Sequence, residues 1–162
     1  MKRKTKFITH AAVIAALYVV LTSLAAMLSL DKGIVQFRIS EALTVLPCLT
    51  PAAIPGLFIG CLLSSLFNLA IPADVIFGSL ATLLGAIGTY FLGRRVRWLS
   101  SLPPILANPL VIPFILRFGY HLEGAVPFFM LTVGIGEAAC AGVLGTLLLY
   151  AMPKRLEQEL RL

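Results

Sequence analysis

Glu137 is the lone ionisable residue between positions 124 and 153, a stretch otherwise free of Asp, Glu, Lys and Arg. Such a group inside a membrane helix costs at least about 2.5–3.5 kcal/mol near the centre unless it faces a cavity or a partner. Three uses are open to it: accepting two donors from the amidine-like edge of a planar ligand, pairing with Arg38 or Arg117, or relaying a proton. A hydrogen-bonded structural glutamate is the plainer alternative. Glu41 closes the run Gln36-Phe37-Arg38-Ile39-Ser40-Glu41. If that run is extended, Gln36, Arg38 and Ser40 share one side; if it is helical, Arg38 and Glu41 are neighbours and a local salt bridge accounts for both. Asn68 and Asp74 flank a turn on the same side of the membrane, where Asp74 also suits a helix cap. Asn108 reads as a helix–helix hydrogen-bonding residue.

Other chemistry is missing. His10 and His121 lack the carboxylate and nucleophile partners that catalysis needs. Cys48, Cys61 and Cys140 fall in apolar segments without metal-ligand spacing, so they read as small packing residues, and neither metal nor cofactor is expected. With no phosphate-binding Gly-rich Lys loop and no Gly-x-Ser-x-Gly elbow, the chain is expected not to be an enzyme and has no means of hydrolysing ATP itself. Its net charge of +6 sits at the ends of apolar runs rather than on one face, which argues against a nucleic-acid partner.

The elements that must position these residues follow from where charge is absent. Of 162 residues, 59% are hydrophobic and 12% charged, about half the charge of a soluble domain. Residues 7–30, 42–73, 75–93 and 98–116 carry no charge at all, and each run reaches the roughly 18 residues that make a membrane helix the default. The run 42–73 would be about 48 Å long as one helix, against a hydrocarbon core of about 30 Å. Pro47, Pro51, Pro55 and Gly56 supply a break. The expected fold is therefore an all-α integral membrane protein, one domain over 1–162, with a six-transmembrane-helix bundle spanning about 8–29, 39–51, 54–70, 75–93, 104–119 and 125–152. Asp31-Lys32-Gly33 marks the first turn, and a loop with Ser100, Ser101, Pro103 and Pro104 precedes the fifth span. The basic start Lys2-Arg3-Lys4 resembles a signal peptide, but the apolar run after it exceeds an h-region, so the segment is expected to stay as the first span.

Charge asymmetry orients the bundle. Lys2, Arg3, Lys4, Lys6, Arg94, Arg95, Arg97, Lys154, Arg155 and Arg161 fall on one side; Lys32, Arg38 and Arg117 fall on the other. Both termini are thus expected in the cytoplasm, with Arg38, Asn68, Asp74 and His121 toward the outer face. Small residues recur every four positions in three spans: Ala11, Ala15 and Ala12, Ala16 in the first; Gly56, Gly60, Ser64 in the third; Gly134, Ala138, Gly142 in the sixth. The later two stripes read as packing within the bundle. The alanines lie at the cytoplasmic end of the first span, where packing within the bundle and docking onto a separate membrane subunit are both open.

Three segments carry a family likeness: Val35-Gln36-Phe37-Arg38-Ile39-Ser40-Glu41-Ala42-Leu43-Thr44-Val45-Leu46-Pro47, Ile54-Pro55-Gly56-Leu57-Phe58-Ile59-Gly60-Cys61 and Asp74-Val75-Ile76-Phe77-Gly78-Ser79-Leu80-Ala81-Thr82-Leu83. They resemble the queuosine precursor transporter family, the substrate-binding S components of energy-coupling factor (ECF) transporters. The resemblance implies a multi-pass protein of the bacterial plasma membrane. It would capture a small ligand in an outward-facing pocket and dock on a transmembrane coupling subunit carrying two ATPase subunits. It also implies Ala11, Ala12, Ala15 and Ala16 as the docking surface, and a queuosine precursor such as queuine or a related deazaguanine base as ligand. On that basis Glu137 is expected to read the donor edge of the base, with Glu41 as second choice. Arg38, Gln36, Asn68 and Asp74 would add polar contacts, and Phe37 an apolar wall or lid. Two alternatives remain open at this point: an S component for another vitamin-like ligand, and a stand-alone proton-coupled carrier that relays through Glu137.

Overall fold

The computed structural model describes residues 3–30 and 35–160, and every described element is helical. The expected Asp31-Lys32-Gly33 turn, with Lys2 and Arg161, lies outside the described residues. Four helices are long and apolar enough to cross a membrane: α1 (Arg3–Met27), α4 (Asp74–Arg95), α5 (Arg97–Gly119) and α6 (Val126–Ala151). Between α1 and α4 lie two shorter apolar helices, α2 (Ile39–Cys48) and α3 (Ala53–Phe67). A last short helix, α7 (Lys154–Leu160), carries charged residues.

Local chemistry sets the boundaries. Helices α1 and α3 end alike, with a residue in the left-handed region, Ser29 (φ 56°) and Leu69 (φ 55°). The next amide then reaches back to a carbonyl five residues earlier, Leu30 to Ala25 at 3.0 Å and Ala70 to Ser65 at 2.9 Å. This pattern satisfies carbonyls that would otherwise be orphaned at a helix end. Pro51, between α2 and α3, separates the two short helices that the charge-free run 42–73 had to contain. The loop expected around 100–104 is narrower than the sequence predicts. The α-helical part of α5 already starts at Leu102, because Pro103 and Pro104 stand in its first turn, where a missing N–H costs no hydrogen bond.

Helix α2 is a ten-residue 3₁₀ helix, long for this tight geometry, and residues 40–48 are all buried. Its side chains Leu43, Val45 and Leu46 form the main core with Ile14 and Tyr18 of α1, Leu57 and Cys61 of α3, Ala86 of α4 and Leu149 of α6. A second cluster joins α5 to α6 through Ile112, Ile115, Leu116, Phe129 and Val133. Close approach of α3 to α1 requires glycine: a Cβ at Gly60 would stand 2.7 Å from Cβ of Tyr18, and one at Gly56 2.7 Å from the Ala11 carbonyl oxygen. The Gly56, Gly60, Ser64 stripe thus packs within the bundle. Helices α4, α5 and α6 each include a π turn, at Asp74–Gly78, Ile115–Gly119 and Ala138–Leu144.

At the end of the bundle that holds both described termini, Arg97 ties α7 to the rest. Its guanidinium donates to both carboxylate oxygens of Glu157 at 3.2 Å and to the Leu149 carbonyl at 3.0 Å, and lies over the Tyr150 ring. Lys6 and Glu159 pair at 3.6 Å beside it. The opposite end, where α1, α3 and α5 finish and α4 begins, opens into a cavity.

Candidate functional site

The cavity has a volume of about 360 Å³. Each wall comes from a different element: Tyr18, Thr22 and Ala25 from α1, Gln36, Phe37 and Arg38 from the approach to α2 with Ser40 at its start, and Cys61, Ser64 and Ser65 from α3 with Asn68 at its C-terminal cap. Asp74 at the start of α4, and Leu116, Tyr120 and Leu122 at the end of α5, close it. Small apolar residues line the sides while amides, hydroxyls, one guanidinium and one carboxylate converge on the space, the composition expected of a small-molecule site.

Of the residues singled out in the sequence, Gln36, Phe37, Arg38, Asn68 and Asp74 stand together in this lining. Phe37 is exposed, and its amide is held by the Leu30 carbonyl at 3.0 Å. Asn68 donates through Nδ2 to the Ser64 carbonyl at 2.9 Å. Asp74 makes no helix-cap hydrogen bond; its Oδ2 accepts the Tyr120 hydroxyl at 3.0 Å. Burial, followed by the adjacent Asp74 carboxylate, pushes the Tyr120 phenol above its ordinary value. Burial opposes the charge of Arg38, but Asp74, Tyr18 and Glu41 outweigh it and hold the guanidinium firmly protonated.

Glu41 and Glu137 do not line the cavity; they lie buried behind it. Glu41 is fully buried, and no salt bridge joins it to Arg38. The Tyr18 hydroxyl donates to Glu41 Oε1 at 2.6 Å instead, while Oε2 has no partner among the described residues. Asn108 donates through Nδ2 to Glu137 Oε1 at 2.8 Å, and Glu137 Oε2 is likewise unpartnered. Glu137 sits beneath the segment that carries Gln36, because Gly136 faces the Gln36 carbonyl so closely that a Cβ would collide with it. Each glutamate therefore has one oxygen fixed by a donor and one without a hydrogen-bond partner among the described residues, with the Asn108 amide close to both, an arrangement that is costly in a buried site unless something completes it.

The sequence singled out neither Tyr18 nor Thr22, and it placed Ser40 beside Gln36 and Arg38 without a partner. The Thr22 hydroxyl donates to the Tyr18 carbonyl at 2.9 Å and shares a hydrogen bond with the Ser40 hydroxyl at 2.8 Å, one turn above the Tyr18–Glu41 bond, so α1 and the start of α2 are stitched twice beside the cavity. The signal available for Tyr18 and Thr22 was their i, i+4 spacing, in a span that also carries Thr9, His10, Ser23 and Ser29.

The opposite face of α1 borders a second hollow of about 530 Å³, lined by Phe7, Ile8, Ala11, Ala12, Ala15, Ala16 and Val19 with Pro55, Ile59 and Leu63 of α3. No polar side chain enters it. Ala12 and Ala16 are exposed there, while Ala15 is buried against α3, whose Gly60 meets its backbone. Among the described residues no group of three or more His, Cys, Asp or Glu is placed to hold a metal ion.

The sequence pattern of the QueT transporter family matches residues 8–154. Over 83 residues, 51% of this chain, the sequence is 37% identical to the Queuosine precursor transporter QueT of Lactococcus lactis subsp. cremoris (strain MG1363). That match covers 48% of the relative, so the chain spans about half the length of the protein it matches there. No solved structure matches the chain significantly. Because the family pattern runs from the first turns of α1 to the start of α7 and takes in every element of both hollows, the chain belongs to the QueT transporter family.

Proposed function

We propose that this chain is the substrate-capturing membrane subunit of an ATP-driven importer, taking a queuosine precursor, queuine or a related deazaguanine base, from outside the bacterial cell. The observation that carries this reading is the cavity itself: a hollow of about 360 Å³ with Arg38, Gln36, Asn68 and Asp74 converging on it, in a chain of a transporter family. A deazaguanine offers adjacent N–H donors on one edge and a carbonyl beside them. Bare carboxylate oxygens suit the first, and an amide or Arg38 suits the second. Glu41 is the better placed acceptor, since Tyr18 and Ser40 of the lining flank it, whereas Asn108, which holds Glu137, is not part of the lining.

In this reading α2 and α3 are the two short spans of a six-span bundle with both termini in the cytoplasm. The cation bias supports it, with Arg94, Arg95, Arg97, Lys154 and Arg155 at the end opposite the cavity. The wholly apolar alanine groove is the surface for a transmembrane coupling subunit that carries two ATPases, because small residues let a second helix approach closely in lipid. The chain supplies capture and the coupled ATPases supply the energy.

Calorimetric titration of the purified protein with queuine and its deazaguanine precursors tests the ligand assignment, with riboflavin, thiamine and biotin as controls. Saturable binding of one deazaguanine alone, weakened in Glu41→Gln, is the expected result. Binding of a control vitamin instead would transfer the site to a different ligand. Co-purification with ATPase subunits tests the coupling, and a chain that imports queuine without them would be a stand-alone carrier.

A further inference from the structure

Helix α1 borders both hollows, and two hydroxyls on its inner face reach the same short stretch of chain. Tyr18 donates to Glu41 at 2.6 Å, and the Thr22 and Ser40 hydroxyls are hydrogen-bonded to each other at 2.8 Å. Tyr18, Thr22 and Ser40 all line the cavity. Tyr18 is 2% exposed and packs on α3 at Gly60, next to Ala15, whose own methyl borders the apolar groove. One turn of α1 therefore touches the cavity wall, the glycine face of α3 and the groove together. A packed interface of this kind moves between discrete arrangements rather than deforming continuously, so a shift of α1 against α3 must alter the two hydroxyl bonds. The converse also holds: a ligand that pulls on Ser40–Glu41 must bias the position of α1.

We propose that Tyr18 and Thr22 are positioning residues for ligand capture: from α1 they set Ser40 in the cavity wall and Glu41 directly behind it, and so make occupancy of the cavity and occupancy of the alanine groove depend on each other. This rests on the proposed function, in which the groove receives a membrane coupling subunit. Glu41 Oε2, behind the Ser40 wall, is the atom that responds, since Tyr18 fixes Oε1 and thereby decides where the unpartnered oxygen points. The dependence is reciprocal by thermodynamic necessity: whatever factor the ligand imposes on docking, docking imposes on ligand affinity.

The experiment measures docking of the full-length chain onto its coupling subunit with both ATPases, in lipid nanodiscs, with and without saturating queuine. The native chain is expected to show two docking affinities that differ about tenfold, within the usual range for coupled sites. In Tyr18→Phe, which keeps the ring and removes the donor, that ratio is expected to fall toward one, and queuine affinity of the isolated protein to drop about tenfold. Thr22→Val, nearly isosteric, is expected to do the same to a lesser degree and covers the case in which Tyr18→Phe does not fold. A native ratio of one, or variants that keep the native ratio, would overturn the coupling while leaving ligand capture and docking intact. A native chain that does not dock at all would overturn the transport reading and the coupling with it.

Discussion

The two hollows share α1 yet have opposite chemistry. The cavity gathers Arg38, Asp74, Asn68, Gln36 and several hydroxyls, with two half-satisfied glutamates behind it; the groove presents Ala, Ile, Leu, Val, Phe and Pro alone. A polar solute released from water needs its hydrogen bonds replaced, whereas a helix arriving from lipid needs only shape and small side chains. The same helix can serve both because its inner face carries Tyr18 and Thr22 while Ala12 and Ala16 lie outward. Recognition at one end is thus a matter of hydrogen-bond satisfaction, and at the other a matter of close packing.

Substitutions that touch one hollow and spare the other sharpen this contrast. The largest effect on ligand binding is expected from Glu41→Gln. The amide oxygen would stay on the Tyr18 hydroxyl and turn its NH₂ toward the bare side, setting donor against donor. Calorimetry should show queuine affinity reduced about 100-fold, the upper range for a hydrogen bond to a charged group. Glu137→Gln acts through the same inversion against Asn108, and its smaller loss by the same titration would rank the two acceptors. Gly136→Ala comes next: its methyl must displace the Gln36 carbonyl and with it the segment that carries Phe37 and Arg38. An affinity loss of about tenfold is expected, equivalent to about 1.4 kcal/mol, with docking on the groove unaltered. The smallest change belongs to Tyr120→Phe, at the partly open rim, where loss of the bond to Asp74 should shift queuine affinity by no more than about threefold. An effect of Tyr120→Phe equal to that of Glu41→Gln would move the recognition centre from the buried glutamate behind the cavity to the cavity rim.

The sequence disclosed the elements better than their contacts. Charge-free runs located the long helices, and Pro47 to Pro55 divided the run that was too long for one, because both signals are local. Burial of Ile39–Cys48 as a 3₁₀ helix at the centre of the core was not legible, since a ten-residue segment that includes Ser40, Glu41 and Thr44 carries no periodic sign of the helices that surround it. Among the site residues, an acid inside an apolar helix drew attention to Glu137, and a polar run in apolar surroundings drew it to Gln36 through Glu41. Partners were hidden because they lie far away in the chain: Tyr18 is 23 residues from Glu41, Asn108 29 from Glu137 and Arg97 60 from Glu157. Those pairings are fixed by how α1, α2, α5, α6 and α7 pack, which no local pattern records.

Capture and docking are assigned to two hollows with separate linings, and a tryptophan in the groove tests that assignment directly. Ala12→Trp places a large ring on the exposed face of α1 without touching the cavity lining. Queuine binding to the purified variant and ATP-dependent queuine uptake by cells carrying it are measured side by side. The account predicts binding within about twofold of native, a change under roughly 0.4 kcal/mol, together with loss of uptake; retained uptake, or binding lost along with it, would contradict it.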